Sequence, residues 1–543
     1  LALDMSPDVP KIETSVLFRA FMQRQGKESI GIVCHNKTLY LVGRKDKTAH
    51  TLAPSLFGNA SVKKFFAERR DFYVYDAKAV THFLRARGVQ LGGTDLDILL
   101  AAYVVQSFSR DFSLQAIVAR ELGEGVGDFP GALARFFDAE QALERKLGSG
   151  RQRFIFEKIE MPLSPILAEM EERGVAIDQK LLRNLGKTVD KKLAAITREI
   201  YGLSGETFNL NSPSQLSRIL FEKLNIKTHG LRKTAKGGVI STRESELEKL
   251  REAHPIIAKI MEYRELAKLK GTYIDALPKS VDAKTGRLHT TFNQVGTATG
   301  RLSSDSPNLQ NIPIMSETGR EIRKAFVAAP GFVLVSFDYS QIELRVAAHL
   351  ANDEKMIAAF KQGLDIHKMT AAEIYNVSLE QVTPELRRAA KTLNFGILYG
   401  MGPQALSEST GMSRDEASRF IDEYFHDFSG IRDYIERTKE FVREQGYVET
   451  LFGRRRWIPE IHSPNWRIRR EAERMAVNTP IQGTSTGDII KLAMIKVDGW
   501  IREEKLEKEV RMLLQVHDEL LFEIKKSVVD KAALEIKKIM EEA

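Results

Sequence analysis

Apolar and polar positions alternate over short runs in the first 150 residues and shift to helical spacing beyond them. "SIGIVCHN", "TLYLVG" and "DFYVYD" look like strands, while "VKKFFAERR" and "LDILLAAYVVQSF" look like helices, so this portion reads as mixed α/β. "KLGSG" at 146–150 marks a boundary. After it, "FEKIEMPLSPILAEMEERGVAID" and "KLLRNLGKTVDKKLAAITREIYGL" carry apolar residues at helical spacing and predict a long helical section. Asn211, Ser212 and Pro213 form a capping turn into a further amphipathic helix. Short strands return at "RLHTTFNQV" and "FVLVSFD", helices follow to about residue 445, and "RMLLQV" and "LLFEIK" are the last predicted strands. There is no internal repeat and no low-complexity tract.

Three stretches place chemistry on these elements. In "SFDYSQIELR" strand alternation stops at Asp338 and helical spacing begins at Gln341. A carboxylate at a strand end is exposed on a rigid element, as a metal ligand should be; taken alone, a helix N-cap aspartate explains it as well or better. "RMLLQVHDELLFEIK" reads as a hairpin with His517, Asp518 and Glu519 at its tip. Turns favour Asp in any case, but two adjacent acids between strongly apolar strands are harder to dismiss. Should this hairpin lie beside the strand ending at Asp338, the two aspartates converge and could bridge two Mg²⁺ ions about 3.5–4 Å apart. In "TPELRRAAKTLNFGILYG", Thr383, Pro384 and Glu385 sign a helix start. Arg387, Lys391 and Phe395 then share one face at i, i+4 and i+8, with Tyr399 slightly further round. Two cations suit a triphosphate and two aromatics a sugar or base; a surface helix with a solvated basic face is the bland alternative.

Composition alters this little. At 543 residues the chain is several domains long, and 43% hydrophobic with 28% charged residues is ordinary for a soluble globular protein. A net charge of +8, with a pI near 9.1, permits a polyanionic partner without requiring one. Cys34 is the only cysteine, which excludes a disulfide framework and a cysteine-based zinc site; its apolar neighbours mark a buried strand thiol. No signal-peptide pattern and no apolar run of membrane-spanning length occur, so a cytoplasmic location without a membrane partner is expected. The Lys- and Arg-rich "KTHGLRKTAKGGVISTRES" reads on its own as a solvated loop.

"DYSQIELR", "RRAAKTLNFGILYG" and "VHDE", in this order, closely resemble motifs A, B and C of family A DNA polymerases, as in the large fragment of bacterial DNA polymerase I. "TATGRLSSDSPNLQNIP" (297–313), "GLDIH" (363–367), "GRRRWIPEI" (453–461) and "ERMAVNTPIQG" (473–483) extend the resemblance over nearly all of 160–543. It implies an α/β and α+β multidomain fold. A ribonuclease H-like 3′–5′ exonuclease-type domain (1–150) would precede a right-hand polymerase domain (151–543). Within the latter the thumb is expected at about 183–284, the palm at about 286–350 and 479–543, and the fingers at about 351–478. The implied activity is template-directed DNA synthesis in replication and repair, adding dNTPs to a primer 3′-hydroxyl by two-metal nucleotidyl transfer. Implied partners are primer–template DNA and dNTPs, with two Mg²⁺ ions that Mn²⁺ can replace, acting on a monomer in the bacterial cytoplasm at the nucleoid. A single-subunit RNA polymerase and a catalytically silent DNA-binding protein are the rivals. Glu343 and "VHDE" argue against the first, and the intact Asp338, Asp518, Arg387 and Lys391 against the second.

Residue by residue, the resemblance makes Asp338 and Asp518 the metal ligands and Glu519 an accessory acid. Arg387, Lys391 and His367 fall at triphosphate-binding positions, where their charge would act. Phe395 and Tyr399 fall beside the sugar and templating base. Glu343, with Gln341 near it, falls where the sugar 2′ position is crowded, although helix pattern alone makes Glu343 a solvent-facing residue. Arg301, Gln310, Asn311, Arg474, Asn478 and Gln482 match residues along the DNA minor groove. His517 falls near the primer end, and the loop 227–243 becomes a thumb tip gripping phosphates.

Some features depart from the family pattern. "QGTSTGDII" is one residue longer than usual after Gln482, and the chain stops at "KKIMEEA", short of a final strand beneath the palm. With no initiator Met and no preceding 5′-nuclease domain, a piece of a longer chain is expected. In the N-terminal portion, "SVLFRAF" is taken as the first strand, and no Asp-x-Glu occurs within residues 1–70. "DAKAV" ends at Val80 where a metal-binding Asp is expected, and "FFDAE" offers Phe136 and Glu140 in place of Tyr and Asp. Asp95 and Asp97 read as capping acids on one helix start. Proofreading activity is therefore expected to be absent.

Overall fold

A computed structural model describes residues 9–123, 125, 128–228, 240–313 and 316–543. The N-terminal portion is built on a sheet of β1 (Lys11–Ile12), β2 (Ile30–His35), β3 (Thr38–Gly43), β4 (Ala49–Leu52), β5 (Phe72–Tyr75) and β6 (Thr94–Asp97), ordered β1-β4-β3-β2-β5-β6. The central strands β2, β3 and β4 are antiparallel, whereas β1 on β4, β5 on β2 and β6 on β5 are parallel. Strand alternation sorts side chains into two cores. Ile30, Ile32, Leu39 and Leu41 join one apolar cluster, and Val33, Tyr40 and Val42 the other.

"SVLFRAF" corrects the expected first strand: it lies in a helix, Ser15–Gln25, whose N-cap Thr14 accepts from the Leu17 amide. Phe18 and Phe21, one turn apart, are buried, while Val16 and Leu17 are exposed at 66% and 49%. A capping threonine and i, i+3 burial outweigh the apparent apolar run. Asp95 is likewise corrected, since it lies in strand β6; Asp97 does cap the following helix, Ile98–Val105.

At 146–150 the helix Phe136–Leu147 ends at Gly148 (φ 57°) and a new helix opens at Arg151. Across the junction, Lys78 and His82 of the helix Ala77–Arg85 meet Glu171, and His82 also meets Glu172. His82 Nε2 is 2.6 Å from Glu171 Oε2, and this hydrogen bond raises the imidazole above its ordinary pKa against the opposing effect of burial. A raised folded value means the contribution is complete below about pH 6.5 and is lost as pH rises through the folded value. His82 is about a third exposed, so the effect is under about 1 kcal/mol after solvent screening. We expect the thermal midpoint of the wild type to fall slightly more between pH 6 and pH 9 than that of His82→Gln, measured by calorimetry; identical pH profiles would remove His82 from the junction's energetics.

The remainder begins with strands β7 (Val175–Ile177), β8 (Arg287–Leu288), β9 (Thr291–Asn293), β10 (Ser303–Asp305) and β11 (Phe326–Val327), which form two small sheets, β11-β7-β8 and β10-β9. Between β7 and β8, the 26-residue helix Gln179–Ser204 packs along Pro255–Leu269. Its N-cap Asp178 accepts from the amides of Lys180 and Leu181. Residues 229–239 of the basic loop expected at 227–243 lie outside the described residues.

Strand β12 (Phe332–Asp338) leads into helices from Ile342–Ala351 to Ser429–Gln445, which share an apolar cluster that includes Leu344, Ile397, Phe420 and Ile431. A short hairpin, β13 (Tyr447–Glu449) and β14 (Arg455–Trp457), precedes the helix Trp466–Gln482. Strands β15 (Val510–Val516) and β16 (Glu519–Lys525) then return beside β12 in an antiparallel sheet ordered β12-β16-β15. Among the described residues, no helix is long and apolar enough to cross a membrane.

Candidate active site

The site is organised by that three-stranded sheet. Asp338 is the last residue of β12 and stands opposite Glu519, the first of β16; the Tyr339 amide donates to the Asp518 carbonyl at 3.1 Å. The two-residue loop His517–Asp518 closes the hairpin with His517 in the left-handed region (φ 57°), a backbone twist that fits tight hairpins. Beneath it, Phe337 and Phe522 meet edge to face at 5.6 Å, fixing the two strands against each other. The two aspartates are thereby held at adjacent strand ends.

Their electrostatics follow. Partial burial, then the negative charges of Asp518 and Glu519, push the Asp338 carboxyl up to about 6, with Lys391 opposing. Such crowded carboxylates favour either a proton or a cation between them. Glu519 is turned aside and accepts from the Ser336 hydroxyl. Among the described residues, no group of three or more His, Cys, Asp or Glu side chains is arranged to hold a metal ion. Two carboxylates remain, an all-oxygen set suited to Mg²⁺ where substrate phosphates and water complete the coordination.

Facing the sheet end is the helix Pro384–Leu398, with Thr383 as N-cap and Pro384 in its first turn. Arg387 Nε donates to Asp365 Oδ2 at 2.6 Å, which orients the guanidinium. Lys391 is exposed, and Phe395 stacks 5.9 Å from Tyr399. Asp338, Asp518, His517, Arg301, Gln341, Glu343, His367, Arg387, Lys391 and Phe395 line one cavity of about 440 Å³.

The structure corrects the expected charge on His367. Burial, with Arg387 and Lys391 adding to it against Asp365, pushes the imidazole down to about 4, so it is neutral at neutral pH. Its Nδ1 lies 3.0 Å from the Asn394 amide nitrogen, which can only donate, placing the ring proton on Nε2. Nε2 is buried and has no partner. His367 therefore offers one aimed N–H.

Glu343 binds on both sides: Oε1 pairs with Arg301 Nη2, and Oε2 accepts from the Tyr399 hydroxyl at 2.5 Å. This corrects the solvent-facing alternative. Gln310 Nε2 donates to Gln515 Oε1 at 3.0 Å on β15, and Gln515 in turn donates to the His517 carbonyl, so Gln310 braces the hairpin. Arg474 Nε donates to the Tyr399 carbonyl at 3.2 Å. Asn478 is half-buried with Oδ1 unpartnered, and Gln341, the N-cap residue of Ile342–Ala351, likewise has an unpartnered Oε1. Gln482 ends its helix and accepts the Thr486 hydroxyl on its carbonyl, while Asn311 is exposed.

A second opening of about 890 Å³ lies beside Phe395 and Tyr399 and is walled by Trp466, Arg467, Arg470 and Arg474. Sequence reasoning missed Trp466, which is 57% exposed; an aromatic inside the basic run "NWRIRR" was the available signal. It also missed Thr486, which lines the first cavity.

Comparison with known proteins identifies the family. A model of DNA polymerase family A matches residues 179–543. A thermostable DNA polymerase I of Thermus thermophilus is 46% identical over 465 residues, covering 86% of this chain and 55% of its own length. DNA polymerase I of Geobacillus stearothermophilus is 43% identical, covering 87% of this chain and 56% of its own. The chain thus spans about half the length of these curated relatives. Among solved structures, the POL domain of Pol1 from M. smegmatis, in complex with a DNA primer-template and dNTP, superposes with a TM-score of 0.88 at 35% identity. That match covers 96% of this chain and 94% of the other.

Proposed function

Because the chain belongs to DNA polymerase family A, we propose that it extends a DNA primer along a template by transferring nucleotides from dNTPs to the primer 3′-hydroxyl. The observation carrying this reading is the cavity in which Asp338 and Asp518 face Arg387, Lys391, His367 and Phe395. Asp338 and Asp518 would hold two divalent ions, Mg²⁺ for preference and Mn²⁺ in substitution. When bound, such ions supply positive charge at the attacking hydroxyl and the phosphates.

The chain's own groups do the rest. Arg387, oriented by Asp365, and Lys391 bind the triphosphate as cations, and His367 donates from Nε2 as a neutral ring. Phe395 covers the sugar and Tyr399 stands beside the templating base. Glu343 occupies the space a 2′-hydroxyl would need, which favours dNTPs over rNTPs and the DNA polymerase over the RNA polymerase reading. Arg301, Asn311, Arg474, Asn478, Gln482 and His517 lie along the path proposed for the duplex, and the basic opening at Trp466 suits an unpaired template strand. In this reading the 183–284 helices are the thumb, 351–478 the fingers, and 286–350 with 479–543 the palm. The enzyme would act as a monomer in the bacterial cytoplasm.

The test is extension of a labelled primer–template with Mg²⁺ and dNTPs. We expect full extension that EDTA stops and added Mg²⁺ or Mn²⁺ restores, with binding of the duplex surviving chelation. Binding without extension would establish the silent DNA-binding alternative.

The N-terminal sheet domain is proposed as a ribonuclease H-like scaffold without proofreading. Val80 is buried; Asp97 accepts from the amides of Asp76, Ala77 and Leu99; and Glu140 pairs with Arg44 at 2.6 Å. These acids are committed to structure. A 3′-labelled single strand incubated with Mg²⁺ or Mn²⁺ and no dNTPs should keep its label. Label loss that survives Asp338→Ala and disappears with Asp97→Ala would show a live exonuclease site.

A further inference from the structure

The helix Trp466–Gln482 does not pass into Ile490–Glu503 as a continuous α-helix. Residues Gly483–Ile489 form π-helical turns, the way one extra residue is taken into a helix without breaking it. This is the stretch "QGTSTGDII", which the resemblance to the family marks as one residue longer than usual. Two glycines let it close on the loop that precedes Arg301. A Cβ at Gly487 would lie 2.7 Å from the Thr299 carbonyl oxygen, and one at Gly483 would lie 3.0 Å from the same oxygen.

The consequence is the placement of Thr486. Its hydroxyl, 3% exposed as a residue, donates to the Gln482 carbonyl at 3.0 Å and accepts from Arg301 Nε. Arg301 Nη2 then pairs with Glu343 Oε1, and Glu343 Oε2 takes the Tyr399 hydroxyl. One chain of contacts therefore runs from the π turn through the carboxylate to the C-terminal end of the helix Pro384–Leu398. A guanidinium held at two of its nitrogens is fixed in plane, whereas one held only at Nη2 pivots on a flexible stem. A threonine bonded only to its own helix would be ordinary back-bonding. Here the hydroxyl also accepts a charge-assisted bond from another segment.

We propose that Thr486 is a specificity-determining positioning residue: by pinning Arg301 it fixes the Glu343 carboxylate against the sugar 2′ position and so sharpens rejection of ribonucleotides. This rests on the reading of Glu343 as the residue that crowds that position. Thr486→Val keeps shape and β-branching and removes the hydroxyl, that is, the acceptor for Arg301 together with the donor to the Gln482 carbonyl.

The experiment is single-nucleotide extension with dNTP and rNTP on the full chain. Loss of a charge-assisted hydrogen bond should lower the dNTP/rNTP ratio of kcat/KM by about 5- to 20-fold in Thr486→Val. The shift should come through a gain for the rNTP, which general structural damage does not produce. Thr486→Ala should behave like Thr486→Val, and Thr486→Ser should restore the ratio. Adding Thr486→Val to Glu343→Ala should change nothing further, since the carboxylate it acts through is gone. If Glu343→Ala relaxes the ratio while Thr486→Val and Thr486→Ala leave it at the wild-type value, or Thr486→Ser fails to restore it, the positioning role is overturned and the gate stands. An unchanged ratio in Glu343→Ala overturns the gate, and the positioning role with it.

Discussion

Asp338→Asn is expected to cut primer extension by about 10³-fold or more while leaving duplex binding and folding intact, because electrostatic stabilisation at such a site amounts to several kcal/mol and each 1.4 kcal/mol is tenfold. The substitution is nearly isosteric, and the β12–β16 register is held by backbone pairing that it does not touch. Its effect on stability has a predictable sign. The Asp338 carboxyl is pushed up to about 6 by burial and by Asp518 and Glu519, above its unfolded value, so its ionised form disfavours the fold as pH rises through that interval. In metal-free buffer at pH 8 the amide should therefore melt at the same temperature as wild type or slightly above it. Asp338 is exposed enough that solvent screening keeps this gain below about 1 kcal/mol. Extension retained above a few per cent, measured with Mg²⁺ at saturating dNTP, would sink the assignment. A lowered midpoint would mean that the loss reflects damage instead.

The parts of this site that were legible are those carried by local pattern. Alternation in "FVLVSFD" and "RMLLQVHDELLFEIK" gave both strands and the hairpin, and Thr383 with Pro384 gave the helix start, because each is decided within about one turn or one strand. The convergence of Asp338 and Asp518 was conditional on strand order, and β12 does lie on β16. What escaped depends on partners distant in the chain. Nothing near His367 announces that Asn394 will take its Nδ1 and burial will discharge it. Glu519 was grouped with Asp518 because they are adjacent, yet Asp518 sits in the loop and Glu519 opens β16, where its carboxylate takes the Ser336 hydroxyl. "SVLFRAF" was ambiguous as a short apolar run, and Thr14 was the overlooked cap. The stretch after Gln482 was expected to be longer than usual, but only the π turn shows which side chain it delivers and to whom.

Behind that turn lies the second large effect. Glu160, Arg454, Asp488 and Lys491 form a buried set of two carboxylates and two cations, none more than 3% exposed. Arg454 bridges Glu160 at 2.6 Å and Asp488 at 2.8 Å, Lys491 Nζ meets Glu160 at 2.6 Å, and Thr450 and Gln294 fill remaining acceptor positions. Tyr103 of the N-terminal portion lies against the same guanidinium, so four segments distant in sequence depend on one charge balance. Arg454→Met keeps much of the packing and removes one cation, leaving Asp488 with a buried charge and no direct ionic partner. Breaking such a set by removing one member costs about 3–5 kcal/mol, since the survivor stays desolvated. The apparent melting midpoint should then fall by about 3–6 °C. The loss should be partly relieved at low pH: burial already raises the Asp488 carboxyl, and without Arg454 it rises further, so the variant gains stability as that group takes a proton. Arg454→Met combined with Asp488→Leu removes the stranded charge and should recover more than about 1 kcal/mol of the loss, the non-additivity expected of members of one network. Melting curves of the two variants and wild type at pH 6 and pH 8 decide the matter. A double variant no more stable than the single one would show that Arg454 acts through its packing against Tyr103 and not through charge.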